Sequence, residues 1–168
     1  MLQRKLAEYD LHEQVPVRVV ESADRIPIGP FDVEWIAMTH SVPEPHALLI
    51  KTPVGQVFHS GDWKLDSAPQ VGPAYDEARL ISLGDEQIDV MVCDSTNATV
   101  PGRTLSEAQL YDGLHRIVSQ AEGRVVVTCF GSNLARVATL DRVASATNRH
   151  IGLLGRSLIN MVLSLIHI

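Results

Sequence analysis

The chain has 168 residues, enough for one domain or pieces of two, and its 45% hydrophobic and 20% charged residues are globular rather than disordered usage. A formal net charge of −6 gives no basic footprint of the kind a simple nucleic-acid-binding module needs to neutralise phosphates. It leaves open an enzyme whose bound cations face phosphates, because such ions are the largest local charges in a site. The two cysteines, Cys93 and Cys129, form no CxxC pair and no disulfide framework, so buried thiols in a reducing compartment are expected. No apolar run approaches transmembrane length and the N-terminus carries no signal-peptide core, which predicts a soluble, cytoplasmic protein.

In chain order, "MLQRKLAEY" reads as a helix already under way, with no cap before Leu2. Four short β-type runs follow: "VPVRVV" (15–20), "DVEWIAM" (32–38), "ALLIKT" (47–52) and "QVFHS" (56–60). Prolines and glycines punctuate them, and "TPVG" between the last two predicts a hairpin. From about residue 75 the rhythm changes to helix "YDEARLISLG", strand "IDVMVC" (88–93), helix 106–122, strand "RVVVTCF" (124–130), helix 133–146, strand "HIGLL" (150–154) and a further helix start. Strands alternating with helices predict parallel pairing, and the unbroken apolar runs predict strands covered on both faces. Thr104 or Ser106 is expected to cap the helix near 106, with Glu107 completing a box with Thr104, and Leu110, Leu114, Ile117 and Val118 its buried stripe. The last six residues, "LSLIHI" (163–168), match a translated sequencing-adapter sequence and are set aside from fold reasoning, His167 with them.

Polar residues recur where apolar strands end. "MTHS" places His40 there, "HSGD" places Asp62, and "VCDSTN" places Asp94. "TCFGSN" adds Ser132 and Asn133, and "LLGRS" adds Arg156. Each alone is an ordinary turn or cap, since Gly, Asp, Ser and Asn are turn residues. Together they fall where ligands bind in open α/β folds, outside the carboxyl ends of strands. A His and an Asp at adjacent strand ends suit a borderline cation such as Zn²⁺. Ser132 precedes a helix whose unpaired N–H groups favour an anion, and Arg156 offers a planar fork for phosphate.

The set "THSVPE", "HSGDWKLD", "DSTNATVPGRTLSE", "TCFGSNLARV" and "GRSLINM", in that order, closely resembles ribonuclease J, bacterial RNases of the metallo-β-lactamase fold with a β-CASP insertion. The resemblance covers nearly all of residues 1–162 and identifies the chain as an internal fragment. It implies an α/β chain with part of a metallo-β-lactamase β-sandwich in 1–104, followed by the first part of a parallel α/β β-CASP domain in 105–162. It implies zinc-dependent hydrolysis of RNA phosphodiester bonds, 5′→3′ exonucleolytic and endonucleolytic, with two Zn²⁺ in the complete enzyme. His40 resembles a histidine ligand, Asp62 the aspartate that bridges both ions, and Asp94 the acidic residue of the first β-CASP motif. Ser132 and Asn133 resemble the strand-end loop that helps hold the RNA 5′-terminal phosphate, and Arg156, by its own chemistry, is the third candidate for binding substrate. RNA, preferentially 5′-monophosphorylated, is the implied partner, with no membrane, and the complete enzyme is expected to be a homo-oligomer.

The family's HxHxDH signature is not found in the 168 residues, and of the implied metal ligands only His40 and Asp62 are present. A catalytic zinc site needs about three protein ligands plus water, so this chain by itself is expected to be inactive. Two other readings stay open: another metallo-β-lactamase-fold hydrolase acting on a thioester, lactone or lactam, and a non-catalytic RNA-binding paralogue.

Overall fold

The computed structural model describes residues 2–165. A short helix, α1 (Leu2–Glu8), precedes the strands β1 (Arg25–Ile28), β2 (Phe31–Ala37), β3 (His46–Thr52) and β4 (Gly55–His59). They form an antiparallel meander and are joined by β5 (Val90–Val92), which pairs parallel to β4, in the order β1-β2-β3-β4-β5. The expected hairpin at "TPVG" is present, with Thr52 opposite Gly55. Thr52 closes it: its hydroxyl accepts the N–H groups of Val54 and Gly55 and donates to the Gly55 carbonyl at 2.9 Å. Glycine is required at 55 because a Cβ there would sit 2.6 Å from the Asp89 carboxylate, which accepts the Gln56 N–H. That contact fastens the start of β4 to the chain entering β5.

A parallel pair needs a crossover connection, and helix α2 (Glu77–Ser82) supplies it between β4 and β5. Asp76 caps α2 by accepting the Arg79 N–H at 2.9 Å. Alternation along β2 and β3 puts Ile36 opposite Ala47, and Leu49 stands opposite both Glu34 and Phe58. Ile36, Met38, Ala47, Leu49 and Phe58 form the core with Leu83, and Leu80 and Ile88 pack on it. Each large side chain so buried contributes roughly 1.5–3 kcal/mol.

The same sheet face carries a buried carboxylate. Glu34 is 5% exposed and receives Arg79 as a two-point fork, Nε to Oε1 at 2.6 Å and Nη2 to Oε2 at 2.9 Å. Arg25 adds a third bond at 2.7 Å, and Arg79 reaches on to Glu86, which Lys51 also meets. Five charges thus link β1, β2 and β3 to the crossover helix and the turn after it. The Arg79 guanidinium holds the Glu34 and Glu86 carboxyls below the ordinary range.

Beyond β5 the chain is helical. Ser106 opens a 3₁₀ turn (Glu107–Leu110) that continues as α3 (Tyr111–Gln120), and α4 (Leu134–Ala146) and α5 (Arg156–Leu165) follow. The cap is Ser106, and the capping box forms with Gln109 rather than between Thr104 and Glu107. Of the stripe expected on α3, Val118 is buried but Ile117 is 59% exposed.

Two expectations differ from the structure. "VPVRVV" forms no strand: Pro16 lacks a donor, and Val15, Val17 and Val19 are exposed. The first strand is instead "RIPI", where Pro27 is accommodated because β1 is the edge of the sheet. The runs 124–130 and 150–154 join no ladder among the described residues, so the parallel sheet expected in 105–162 is not formed there. A strand covered on both faces needs two layers. Here Val118, Val143 and Leu158 of α3, α4 and α5 line one side of a cavity of about 480 Å³, and Val126 and Leu154 stay largely exposed to solvent. Residues 166–168, His167 among them, lie outside the described residues.

Removing Arg79 strands the Glu34 carboxylate, so Arg79→Ala lowers the unfolding free energy by about 3 kcal/mol in urea titrations at neutral pH. Because the folded carboxyls titrate below their unfolded value, this stabilisation is complete above about pH 4.5 and is lost as pH falls through the folded range. The wild type therefore loses more stability on acidification than Arg79→Ala, measured by urea midpoints from neutral to acid pH.

Candidate active site

Strand direction builds the site. β2 and β4 are both antiparallel to β3, and β5 is parallel to β4, so the carboxyl ends of β2, β4 and β5 lie along one rim of the sheet. The segments leaving them, 38–41, 60–66 and 93–97, carry His40, Asp62 and Asp94 respectively. The structure therefore brings these three sequence-predicted residues to one edge.

Two buried hydroxyls, each 2% exposed, stitch the segments together. Thr39 donates its hydroxyl to the Lys64 carbonyl and accepts the Asp66 N–H at 3.0 Å, while its carbonyl accepts the Lys64 N–H at 2.8 Å. Ser60 donates its N–H to Val92 at 2.9 Å and accepts the Asp94 N–H on its hydroxyl at 3.0 Å. Between them Gly61 turns the chain with φ +61°, and a Cβ there would press on the His46 carbonyl at 3.1 Å. Asp62 stands exposed at the apex of that turn.

His40 is half-buried, its Nδ1 3.3 Å from the Ser41 hydroxyl. The Ser41 carbonyl accepts the Ala135 N–H, so the first turn of α4 braces the His40 loop. Asp94 is half-buried and accepts both the N–H and the hydroxyl of Thr96, and these bonds, with the nearby His40, hold its carboxyl below the ordinary range.

Thr39, Ser60 and Asp66 do not stand out in the sequence as site residues, and their only signal is a polar side chain beside an apolar strand end. Asp66 is the most connected. It is 6% exposed, accepts the N–H groups of Ala68 and Glu107, and lies 3.5 Å from the Lys64 ammonium. Burial works against its charge, yet the bonds from Ser106, Ala68 and Glu107 and the Lys64 charge together hold its carboxyl below the ordinary range. Glu107 in turn pairs with Arg136 of α4 through two bonds, the shorter 2.6 Å.

The three other sequence-predicted residues lie around the starts of α4 and α5. Ser132 is exposed just before α4, and Asn133 spends its side-chain oxygen capping the helix at the Arg136 N–H. Arg156 begins α5, whose next residue, Ser157, packs so closely on Gly131 that a Cβ there would stand 3.1 Å from the Ser157 Cβ. A cavity of about 460 Å³, lined by Thr128, Cys129, Phe130, Asn133 and Arg136, opens beside α4.

The donor chemistry of the rim, an imidazole with carboxylates, suits a borderline divalent cation. The number of donors is short: among the described residues no group of three or more His, Cys, Asp or Glu side chains is placed to hold a metal ion.

The ribonuclease J of Sinorhizobium meliloti is 43% identical over 162 residues, which is 96% of this chain and 29% of that protein. Almost the whole of this chain is thus similar to one part of a ribonuclease J. The family model described as "Ribonuclease J, beta-CASP domain" matches residues 122–165. The ribonucleases J of Synechocystis, 38% identical over 96% of the chain, and of Thermus thermophilus, 34% identical over 95%, match likewise and are covered over 26% and 28% of their lengths. The chain thus spans less than a third of these ribonuclease J relatives. Among solved structures, a protein of unknown function from Enterococcus faecalis superposes with a TM-score of 0.60 at 19% identity, over 91% of this chain and 36% of that one, and shares the fold. No helix among the described residues is long and apolar enough to cross a membrane.

Asp66 is the joint between the rim and the helical half. Asp66→Ala removes a buried acceptor from two N–H groups and is expected to cost about 2 kcal/mol. Amide exchange should quicken in residues 105–110 and in 64–68 and stay unchanged in β3, by mass spectrometry.

Proposed function

We propose that this chain forms part of a metal-dependent ribonuclease that hydrolyses RNA phosphodiester bonds, 5′→3′ from 5′-monophosphorylated ends and also internally. One observation carries the reading: His40, Asp62 and Asp94 leave three strands at one rim, in a chain 43% identical to a ribonuclease J over almost its whole length. In this reading residues 1–104 are part of a metallo-β-lactamase sandwich, 105–162 open the β-CASP domain, and the complete protein is a cytoplasmic homo-oligomer.

His40 and Asp62 would hold zinc, with the further donors it needs supplied from outside these 168 residues. A divalent cation there supplies Lewis-acid stabilisation of charge on the phosphoryl oxygens. The chain's own residues orient and exclude. The Ser41 hydroxyl lies 3.3 Å from His40 Nδ1, so Nε2 would be the nitrogen left for a cation, and the bonds of Thr96 hold the Asp94 carboxyl below the ordinary range. Ser132 and the start of α4 receive the 5′-terminal phosphate, with Arg156 as a second cation for the backbone. Net acidity is no obstacle, since the ions facing the phosphates reverse the local field.

After dialysis the purified chain should hold far less than one zinc per molecule and leave 5′-monophosphorylated RNA intact. Stoichiometric retention would show that the rim closes a site unaided. In a longer ribonuclease J containing this sequence, Asp62→Ala should abolish RNA cleavage; retained cleavage removes Asp62 from the chemistry.

A further inference from the structure

The loops that carry Asp62 and Asp94 are tied to each other. The Asp94 N–H donates to the Ser60 hydroxyl at 3.0 Å, and the Asp94 carbonyl accepts the Trp63 indole N–H at 3.1 Å. His40 is held by a different set of bonds. Its imidazole meets the Ser41 hydroxyl 3.3 Å away, a contact that travels with the loop and fixes nothing outside it. The anchors are the residues on either side. Thr39 is buried, and its hydroxyl accepts the Asp66 N–H at 3.0 Å. The Ser41 carbonyl accepts the Ala135 N–H at 3.2 Å.

These two anchors meet. Asp66 Oδ2 accepts the Glu107 N–H at 3.2 Å, and the Glu107 carboxylate takes Arg136 through Nε at 2.6 Å and Nη2 at 3.3 Å. Arg136 directly follows Ala135 in α4, so the bonds close into a ring from Thr39 through Asp66, Glu107, Arg136 and Ala135 to Ser41, with His40 in the gap. A second link runs alongside, where the Lys64 ammonium donates to the Leu105 carbonyl at 2.6 Å. In the first turn of α4 the Leu134 and Arg136 N–H groups are satisfied at the helix start, by the Ser132 carbonyl and the Asn133 side chain. The Ala135 N–H is the one that reaches out to the His40 loop. Thr39, Asp66, Glu107 and Ala135 are buried, which strengthens the bonds they make.

We propose that Arg136 is a positioning residue for His40: with Glu107 and Asp66 it closes a polar ring that grips the chain on both sides of that imidazole. The inference rests on the reading of His40 as a working residue of the ribonuclease. It adds that Arg136 acts through the ring, without touching RNA.

The test uses a longer ribonuclease J containing this sequence, assayed on 5′-monophosphorylated RNA. Arg136→Gln should lower kcat roughly tenfold at unchanged KM. Glu107→Gln should do the same, and the double variant should lose no more than either alone, because the two act as one unit. Arg149→Gln is the control for stability: Arg149 bonds the carbonyls of Ala121 and Gly123 after α3, outside the ring, so its loss should lower the melting temperature and leave kcat unchanged. Amide exchange at Asp66 and Ala135 should quicken in Arg136→Gln while β3 stays protected. If Arg136→Gln fails to fold, Arg136→Lys, which keeps the charge but not the fork, decides, with a kcat loss of about threefold. Wild-type kcat in the Arg136 variants where His40→Ala abolishes cleavage would overturn the proposal. So would a raised KM at unchanged kcat, which would make Arg136 an RNA contact. Cleavage retained by His40→Ala would instead end the reading of His40, and the positioning role with it.

Discussion

The rim exists because Glu34 holds Arg79. Parallel pairing of β4 and β5 is what brings the ends of those strands to the same side as that of β2, and it depends on the crossover helix lying on the sheet. A short helix with no fully buried residue has little apolar grip of its own. The planar fork from Arg79 to a carboxylate that sits among Leu49, Ile36 and their neighbours supplies the missing fixity, and Arg25, Lys51 and Glu86 balance the charge. An ionic contact far from the chemistry thus governs where Asp94 emerges.

The two halves of the chain are joined by a second polar chain that begins at Thr39 and passes through Asp66 and Glu107 to Arg136. Thr39, Asp66 and Glu107 are a hydroxyl and two carboxylates with little exposure, each with bonded partners, so separating the halves would strand buried charge. One consequence falls on Arg136. It lies in the wall of the cavity beside α4, yet its guanidinium is committed to Glu107 and is not free for an incoming phosphate.

Much of this was readable in the residues. The meander β2–β4, the "TPVG" hairpin, α4 and its start at Asn133 follow from period-two alternation, turn chemistry and cap preference, all local properties. His40, Asp62 and Asp94 could be singled out because a polar residue directly follows an apolar run. What could not be read was non-local. "RIPI" looks like punctuation until an edge position makes Pro27 acceptable, and "VPVRVV" looks like a strand with nothing to pair against. The runs 124–130 and 150–154 carry the pattern of covered strands, but coverage depends on which layers surround them. Ser60 and Trp63 read as ordinary turn neighbours, since their meaning lies in a partner more than thirty positions away.

The order of strands also sets an order of assembly. β1 to β4 close through neighbouring contacts, each a short hairpin away from the last, whereas β5 must wait for the whole crossover to be threaded. Contacts between distant segments are slower to form because the intervening loop must first give up its freedom. The loops that carry His40 and Asp62 are therefore set by local closures, and the loop that carries Asp94 waits on the crossover, as the keystone of the edge rather than its foundation.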